Sequence, residues 1–183
     1  DKASLIGCAV ATGMGSVFND ACVKKGESVA VFGTGGVGLC AVHAASIAKA
    51  GIIIAVDIHN EKLNLAKELG ATHVVNAGKC NSVEKIKKLT GGKGVDHAIE
   101  SAGLVKTMEQ AFGSVRDNGG KAVFVGNPEK GSRICIDPFD LIRGKRISGS
   151  WGGGAEPGRD FPKYAKQYLA GKLKLDKLIT YKL

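Results

Sequence analysis

The stretch from Ser28 to Asp57, SVAVFGTGGVGLCAVHAASIAKAGIIIAVD, decides the fold. It opens with a short β-branched run, Ser28–Gly33. It closes with the nearly continuous apolar run Ile52–Asp57, which is typical of a parallel strand buried on both faces. Between them, Gly36–Ala50 carries small and apolar residues at helical spacing. Two strands joined through a helix by short turns predict a right-handed βαβ unit within a parallel sheet.

The same alternation of short apolar runs and amphipathic segments continues as far as residue 126. It predicts further strands at His73–Asn76, Val95–Glu100 and Lys121–Gly126, and helices at Glu61–Leu69, Ser82–Leu89 (with Ser82 as the N-cap) and Val105–Val115. Five strands alternating with helices predict an α/β fold with a doubly wound parallel sheet, the Rossmann fold, in a single dinucleotide-binding domain.

The segments on either side of this core have a different pattern. Residues 1–27 are predicted to be a helical lead-in, residues 28–126 the core, and residues 127–183 C-terminal strands and a helix. Beyond residue 127 we expect strands at Ile134–Ile136 and Arg146–Trp151, a helical turn at Pro138–Ile142 and a helix at Asp160–Leu169. Because the chain starts at Asp1 without Met, we expect it to be a domain excised from a longer protein.

Composition excludes several classes of protein. The chain has 183 residues, and 44% of them belong to the broad hydrophobic set, which argues against disorder. Its 27 glycines show no three-residue period, which excludes collagen, and no apolar run is long enough for a membrane span. Five dispersed cysteines without a C-x-x-C pair favour free thiols in a reducing, cytoplasmic setting.

The formal charge of +9 is concentrated near the C-terminus: residues 1–120 carry a net charge of +2 and residues 121–183 a net charge of +7. A basic protein of this size raises the possibility of nucleic-acid binding. No run of five Lys or Arg residues occurs, and no aromatic residues are interleaved with the cations to stack on bases. A solvated basic face is therefore the favoured interpretation.

Residues 33–38, GTGGVG, fit the pattern G-x-G-x-x-G between a predicted strand and a predicted helix. In this context Gly33 permits the tight turn, Gly35 lets a pyrophosphate approach the backbone, and Gly38 lets the helix pack close to the strand. The phosphates would lie on free N–H groups at the positive end of the helix dipole. The pattern predicts a dinucleotide site.

An acidic residue stands where such a site needs one. Asp57 ends the next strand, nineteen residues after Gly38, and would accept hydrogen bonds from the adenosine ribose hydroxyls. No Arg follows to bind a 2′-phosphate, so the sequence favours NAD over NADP. Lys62 is the nearest cation; it either reaches the ribose or is an ordinary exposed lysine of the next helix. The alternative is a glycine-rich turn that binds nothing, with Asp57 as a simple helix N-cap.

An ordered set of short motifs resembles the coenzyme-binding domain of the zinc-containing alcohol dehydrogenases, in the medium-chain dehydrogenase/reductase superfamily. The set comprises residues 7–16 (GCAVATGMGS), 33–38, 56–57 (VD), 69–72 (LGAT), 92–96 (GKGVD) and 100–103 (ESAG). The resemblance covers essentially the whole chain. It implies an NAD-dependent parent enzyme that transfers hydride between an alcohol and the coenzyme, with zinc as a Lewis acid on the alcohol oxygen.

The resemblance also implies roles for individual residues. Cys8 matches a ligand of the catalytic zinc, Thr12 and Val37 would flank the nicotinamide, and residues 134–151 resemble the stretch that pairs across a homodimer. The expected coenzyme contacts, from the loop and from the resemblance together, are Thr12, Gly33, Gly35, Gly36, Val37, Gly38, Asp57, Ile58, Lys62, Ser101, Ala102, Gly103, Val125, Gly126, Asn127 and Trp151.

In this family the other zinc ligands and the proton relay lie on a separate catalytic domain, which we expect to be absent from this chain. The isolated chain is therefore predicted to bind NAD(H) but to lack dehydrogenase activity and a tight zinc site. Two alternatives stay open at this point. One is the coenzyme domain of a zinc-independent NADPH quinone or enone reductase, against which Cys8 and Asp57 both argue. The other is a non-catalytic nucleotide-binding module on the same fold.

Overall fold

A sheet of parallel strands forms the centre of the molecule. The computed structural model describes residues 5–178, and within them six strands pair in the order β3-β2-β1-β4-β5-β6, every pair parallel. The doubly wound parallel sheet predicted from the sequence is confirmed. The strands are β1 (Ser28–Phe32), β2 (Ile52–Asp57), β3 (His73–Asn76), β4 (His97–Glu100), β5 (Lys121–Phe124) and β6 (Arg146–Gly149).

Helices cover both faces of this sheet. A lead-in helix spans residues 6–20; it is α-helical over Ala11–Gly15 (α1) and π-helical over the flanking segments Ile6–Val10 and Ser16–Asp20. The other helices are α2 (Gly36–Ile47), α3 (Asn60–Glu68), α4 (Ser82–Leu89), α5 (Val105–Ser114), α6 (Pro138–Ile142) and α7 (Pro157–Leu169), with 3-10 turns at Gly152–Gly154 and Leu175–Leu178. The outermost residues of the predicted segments 1–27 and 127–183 lie outside the described residues.

Two apolar cores result from the alternation of side chains along the strands. On β2, Ile53 and Ala55 face the core shared with the lead-in helix, α2, α3 and α7, whereas Ile54 and Val56 face the core shared with α4 and α5. Both sets are buried. The continuous apolar run of the sequence is therefore explained by burial on both faces. No helix among residues 5–178 is long and apolar enough to cross a membrane.

The prediction of a strand at Ile134–Ile136 is wrong. Strand β6 takes the place beside β5, and residues 134–136 pair with no strand. The backbone N–H of Cys135 instead donates to Oε1 of Glu109 on α5, at 2.7 Å. A three-residue apolar alternation is therefore not sufficient for a strand here, and a side chain rather than a ladder neighbour accepts the N–H of Cys135.

Several predicted boundaries also differ from the structure. The strand predicted to begin at Val95 begins at His97, since Val95 forms only an isolated bridge with Val115. The last two strands end two residues earlier than predicted, and the last long helix begins earlier, at Pro157. Proline suits the first turn of a helix, which lacks intrahelical N–H partners.

The N-cap of α4 is also one residue away from its predicted position. Asn81, not Ser82, caps the helix: its side-chain oxygen accepts hydrogen bonds from the N–H groups of Val83 at 3.0 Å and Glu84 at 3.3 Å. Ser82 is the first helical residue and is buried. Asn and Ser are about equally good caps, so residue type alone did not decide between the two positions.

Three consecutive glycines join the C-terminal part of the chain to the lead-in helix. Residues 152–154 all have positive φ. A Cβ at Gly153 would lie 2.5 Å from the carbonyl oxygen of Ala11, and one at Gly15 would lie 2.1 Å from the carbonyl oxygen of Gly153. The side-chain amide of Asn19 donates to the carbonyl of Gly153 at 3.1 Å. The two backbones can approach this closely only because both lack side chains.

At the amino edge of the sheet, Asp96 links three elements. Its Oδ2 accepts hydrogen bonds from the backbone N–H and the hydroxyl of Ser28, at 2.8 and 2.6 Å, and its Oδ1 accepts from Nε of Arg116 at 2.6 Å. Burial acts to raise the pKa of Asp96, but these hydrogen bonds and the Arg116 charge outweigh it and lower the pKa from 3.8 to about 2. The ionised carboxylate therefore stabilises the folded chain.

Acid should remove this contribution. Because the folded-state pKa of Asp96 lies below its unfolded value, the stabilisation is complete above pH 3.8 and is lost as the pH falls toward 2. We expect Asp96→Asn to lower the free energy of unfolding at pH 6 by on the order of 2 kcal/mol, and by less at pH 3. Denaturant titration at the two pH values measures both effects.

Asp117→Asn is the matched control, since Asp117 is about half exposed and its nearest cation, Arg143, lies 3.6 Å away. We expect this variant to change the free energy of unfolding little at either pH. An equal loss of stability for Asp96→Asn at both pH values would show that the contribution of Asp96 does not depend on its charge.

Candidate dinucleotide-binding cleft

A cleft of about 330 Å³ opens at the carboxyl end of the sheet. It lies where the strand order reverses, between β1 and β4, and this is the place where open α/β sheets bind their ligands. Its lining comes mainly from the segments that follow β1, β2 and β4. The lining residues are Phe32, Gly33, Gly35, Val56, Asp57, Ile58, His59, Lys62, Ala77, Ser101, Ala102, Leu104 and Thr107.

Two glycines of the motif at residues 33–38, Gly33 in the turn after β1 and Gly38 in the first turn of α2, are required by the fold itself. Gly33 has a φ of +86°, and a Cβ there would lie 2.8 Å from the backbone nitrogen of Ala102. A Cβ at Gly38 would lie 1.8 Å from the carbonyl oxygen of Gly33. A larger residue at Gly33 would push the turn away from the segment after β4, and a larger residue at Gly38 would push the turn and α2 apart.

Gly35 is different, because nothing in the described structure requires glycine there. Its φ of −73° and ψ of −170° are open to any residue, and a Cβ at this position would meet no atom within 4 Å. Gly35 is the N-cap of α2, and no side chain caps that helix. The first N–H groups of any α-helix lack intrahelical partners, and in α2 no capping side chain accepts from them. They adjoin an open space at the positive end of the helix dipole. Both features fit a pyrophosphate.

Asp57 stands beside this loop at the end of β2. Its Oδ2 accepts hydrogen bonds from the backbone N–H and the hydroxyl of Thr34, at 2.7 and 2.8 Å, and its Oδ1 accepts from the N–H of His59 at 3.0 Å. Burial acts to raise the pKa of Asp57, but these bonds and the charge of Lys62 lower it below its ordinary value. The N-cap of α3 is His59, so the alternative of Asp57 as a simple N-cap is wrong.

Glu100, which no sequence motif assigns to the site, organises the opposite wall. Its side chain is fully buried, and Oε1 accepts hydrogen bonds from the N–H groups of Ala102 and Gly103, at 2.9 Å each, and from the hydroxyl of Thr107 at 2.7 Å. The available signal was an acidic residue directly after the apolar pair Ala98 and Ile99 at the end of a strand. Such a residue is buried only when neighbouring donors satisfy it.

The amino-acid sequence of this chain matches a known protein family. The model of a family described as zinc-binding dehydrogenase matches residues 36–170, about three quarters of the chain. The chain belongs to this family. The resemblance to zinc-containing alcohol dehydrogenases that the sequence motifs indicate is thereby confirmed.

Individual relatives agree with the family model. "Alcohol dehydrogenase-like 5" of Arabidopsis thaliana is 42% identical over 186 aligned residues, which are 100% of this chain and 48% of that protein. The crystal structure of benzyl alcohol dehydrogenase from Acinetobacter calcoaceticus superimposes with a TM-score of 0.93 at 38% identity, covering 97% of this chain and 49% of that one. The chain thus spans about half the length of the dehydrogenases that it matches.

Among the other predicted coenzyme residues of this zinc-binding dehydrogenase domain, Ser101 and Ala102 belong to the cleft lining. The lining does not include Gly103 or residues 36–38 and 125–127. The single hydroxyl proton of Ser101 has two carbonyl acceptors within reach, that of Gly33 at 2.9 Å and that of Phe32 at 3.1 Å, so Ser101 holds the glycine turn. A Cβ at Gly103 would lie 2.8 Å from the carbonyl oxygen of Asn127. The loops that follow β4 and β5, residues 101–103 and 125–127, are therefore in contact.

Another group of predicted residues lies where the lead-in helix meets α2. A Cβ at Gly13 would lie 2.2 Å from the carbonyl oxygen of Val37, which places Thr12 and Val37 on touching helices. Ala9 lies near Gly36 on the same side. Trp151, in contrast, is 93% exposed and does not line the cleft.

Cys8 is the candidate zinc ligand. It lies in the π-helical turn Ile6–Val10, and its thiol is exposed and free. A catalytic zinc needs three protein ligands and an open position. Among residues 5–178, no three His, Cys, Asp or Glu side chains stand close enough together to hold a metal ion. The described residues therefore supply one candidate ligand and do not by themselves fit a complete zinc site.

The role of Glu100 can be tested with two variants. Because Oε1 accepts all three hydrogen bonds and Oε2 has no partner, Glu100→Gln keeps the acceptor that matters, whereas Glu100→Ala leaves buried donors unpaired. We expect Glu100→Ala to lower the free energy of unfolding by about 3 kcal/mol or more, and Glu100→Gln by clearly less. Denaturant titration measures both.

Glu129→Ala, at an exposed loop position, is the control and should be neutral. If Glu100→Gln proved as damaging as Glu100→Ala, the negative charge of Glu100 rather than its acceptor oxygen would be what holds the loop.

Proposed function

We propose that this chain is the NAD(H)-binding domain of a zinc-dependent, alcohol dehydrogenase-like oxidoreductase. The observation that carries the proposal is the open space at Gly35, beside an uncapped helix N-terminus and a carboxylate. Neither the backbone conformation of Gly35 nor any neighbouring atom requires glycine at this position. A bound pyrophosphate explains both the glycine and the missing cap.

The cleft offers each part of the coenzyme a chemically suitable surface. The pyrophosphate would lie on the N–H groups of residues 36–38, and the adenosine ribose would donate a hydroxyl to Asp57. Lys62 would add a positive charge near this edge. Ile58 and Leu104 are exposed apolar residues of the lining and are suited to the faces of the adenine ring.

The nicotinamide half would extend toward the contact between the lead-in helix and α2. There Thr12 and Val37 would flank the ring, residues 101–103 would follow its ribose, and residues 125–127 would face the carboxamide. Trp151, exposed beyond the cleft, would contribute a further contact. When bound, the coenzyme accepts or supplies a hydride, and the protein positions its reactive carbon.

An alcohol and its aldehyde are the proposed substrates of the complete enzyme, because the Arabidopsis relatives are named alcohol dehydrogenase or alcohol dehydrogenase-like. Cys8 would be one ligand of the zinc in that enzyme. The described residues complete no zinc site, so we expect the isolated chain to bind coenzyme without turning over alcohol and without retaining zinc. The ionised Asp57 disfavours the 2′-phosphate of NADPH and thus the quinone reductase alternative.

A second copy of the chain is the proposed protein partner. Strand β6 is an edge strand of the sheet, and the neighbouring helix α6 exposes Phe139, Leu141 and Ile142. An open edge and adjacent exposed apolar side chains favour pairing between identical subunits. We also propose a cytoplasmic location, because the five cysteines are free thiols.

The decisive experiment is NADH binding to the purified chain, followed by calorimetry or nicotinamide fluorescence. We expect saturable binding by the unaltered chain. Gly35→Ala should fold with an unchanged melting temperature, because the added methyl group meets no protein atom. It should nevertheless weaken NADH binding by at least about tenfold, because the methyl group occupies the approach of the pyrophosphate.

Gly158→Ala is the matched control, since Gly158 also has open space around it and lies on α7, away from the cleft lining. It should leave NADH binding unchanged. Absence of NADH binding by the unaltered chain would refute the proposed function, and equal binding by Gly35→Ala would show that the pyrophosphate does not lie at this turn.

A further inference from the structure

Thr34 is buried and does not belong to the cleft lining. Among the described residues it nevertheless makes the most hydrogen bonds to the side chain of Asp57. Its backbone N–H and its hydroxyl both donate to Oδ2 of Asp57. The pattern G-x-G-x-x-G leaves the residue type at this position open. Nothing in the sequence pattern therefore singles Thr34 out.

The acceptor capacity of Asp57 is almost used up before any ligand binds. An ionised carboxylate offers about four lone-pair sites. Thr34 occupies two on Oδ2, and the N–H of His59 occupies one on Oδ1. The capacity that remains is on Oδ1. The carboxylate thus meets a ribose with one oxygen held by the protein and the other free to accept one more hydrogen bond.

Resting on the proposed function, we propose that Thr34 is a positioning residue that sets the preference for NAD(H) over NADP(H). It does so by fixing Oδ2 of Asp57 so that Oδ1 accepts the ribose hydroxyl and the carboxylate cannot turn away from a 2′-phosphate. A preorganised acceptor favours the ligand that uses it and disfavours the ligand that places a second anion beside it.

Burial strengthens this arrangement. Thr34 is fully buried and Asp57 is half-buried, so the hydrogen bond between the hydroxyl and the carboxylate is shielded from water. A hydrogen bond to a charged group contributes more than one between neutral groups. The same bonds help to keep the pKa of Asp57 below its ordinary value, so the repelling charge is present at neutral pH.

The test compares Thr34→Val with Thr34→Ser. Valine keeps the branched shape and removes the hydroxyl, whereas serine keeps the hydroxyl. We expect the ratio of the Kd for NADPH to the Kd for NADH to fall by about tenfold in Thr34→Val and to stay near the unaltered value in Thr34→Ser. An unchanged ratio in Thr34→Val, whether or not the affinity for both coenzymes falls equally, would overturn the proposal.

Asp57→Asn provides a second arm through a double-mutant cycle. Thr34 acts through the Asp57 carboxylate, so Thr34→Val should change the ratio in the unaltered chain but produce no further change in the Asp57→Asn background. Additive effects of the two substitutions on the ratio would overturn the proposal. Thr90→Val removes a half-buried, hydrogen-bonded hydroxyl outside the cleft and should leave the ratio unchanged.

A measurement without ligand separates this proposal from the function on which it rests. In a carboxyl NMR titration, Thr34→Val should raise the pKa of Asp57 and Thr34→Ser should leave it nearly unchanged. A chain that binds neither coenzyme would refute the proposed function while this titration still tests the hydrogen bond itself. An Asp57 pKa that is the same in Thr34→Val and the unaltered chain would refute the positioning role even if NADH binds.

Discussion

Burial of the parallel sheet on both faces is the constraint on which the rest of the structure depends. Strands β1 and β2 lie within the sheet, and their side chains enter apolar cores on either side. Each strand must therefore be followed by a helix that covers one face or the other, and the winding reverses once, between β1 and β4. The reversal leaves the carboxyl ends of these two strands uncovered, and the cleft follows from it.

At that edge, backbone N–H groups that no strand or helix satisfies are held by two carboxylates. Asp57 accepts the N–H of Thr34 on one side of the glycine turn, and Glu100 accepts those of Ala102 and Gly103 on the other. These hydrogen bonds within the chain hold the segments on both sides of the turn. The N–H groups at the start of α2 have no such acceptor and stay available to a ligand. The loops are therefore stable where a carboxylate accepts their N–H groups, and the site is open where none does.

The elements that could be predicted from the sequence are those whose signal is local. Ile52–Asp57 is apolar because it is buried on both faces, and the loop of residues 33–38 shows itself by its glycines. The errors arose where the deciding contact cannot be read from the residue pattern. Residues 134–136 look like a strand but pair with none. Glu100 matters through hydrogen bonds to the segment that follows its own strand, and Thr34 through hydrogen bonds to Asp57 at the end of β2. The roles of Cys8 and Trp151 rest on resemblance to the family, not on contacts within the described chain.

The contact between the glycines at 152–154 and the lead-in helix has a consequence for motion. Asn19 and Gly153 are separated by 134 positions, and their segments touch because neither Gly15 nor Gly153 has a side chain. The backbones meet without intervening side chains, so separating them exposes both surfaces to water at once. We therefore expect the lead-in helix and the loop after β6 to open as one cooperative unit, with the amide protons of residues 11–19 and 150–154 exchanging with solvent together.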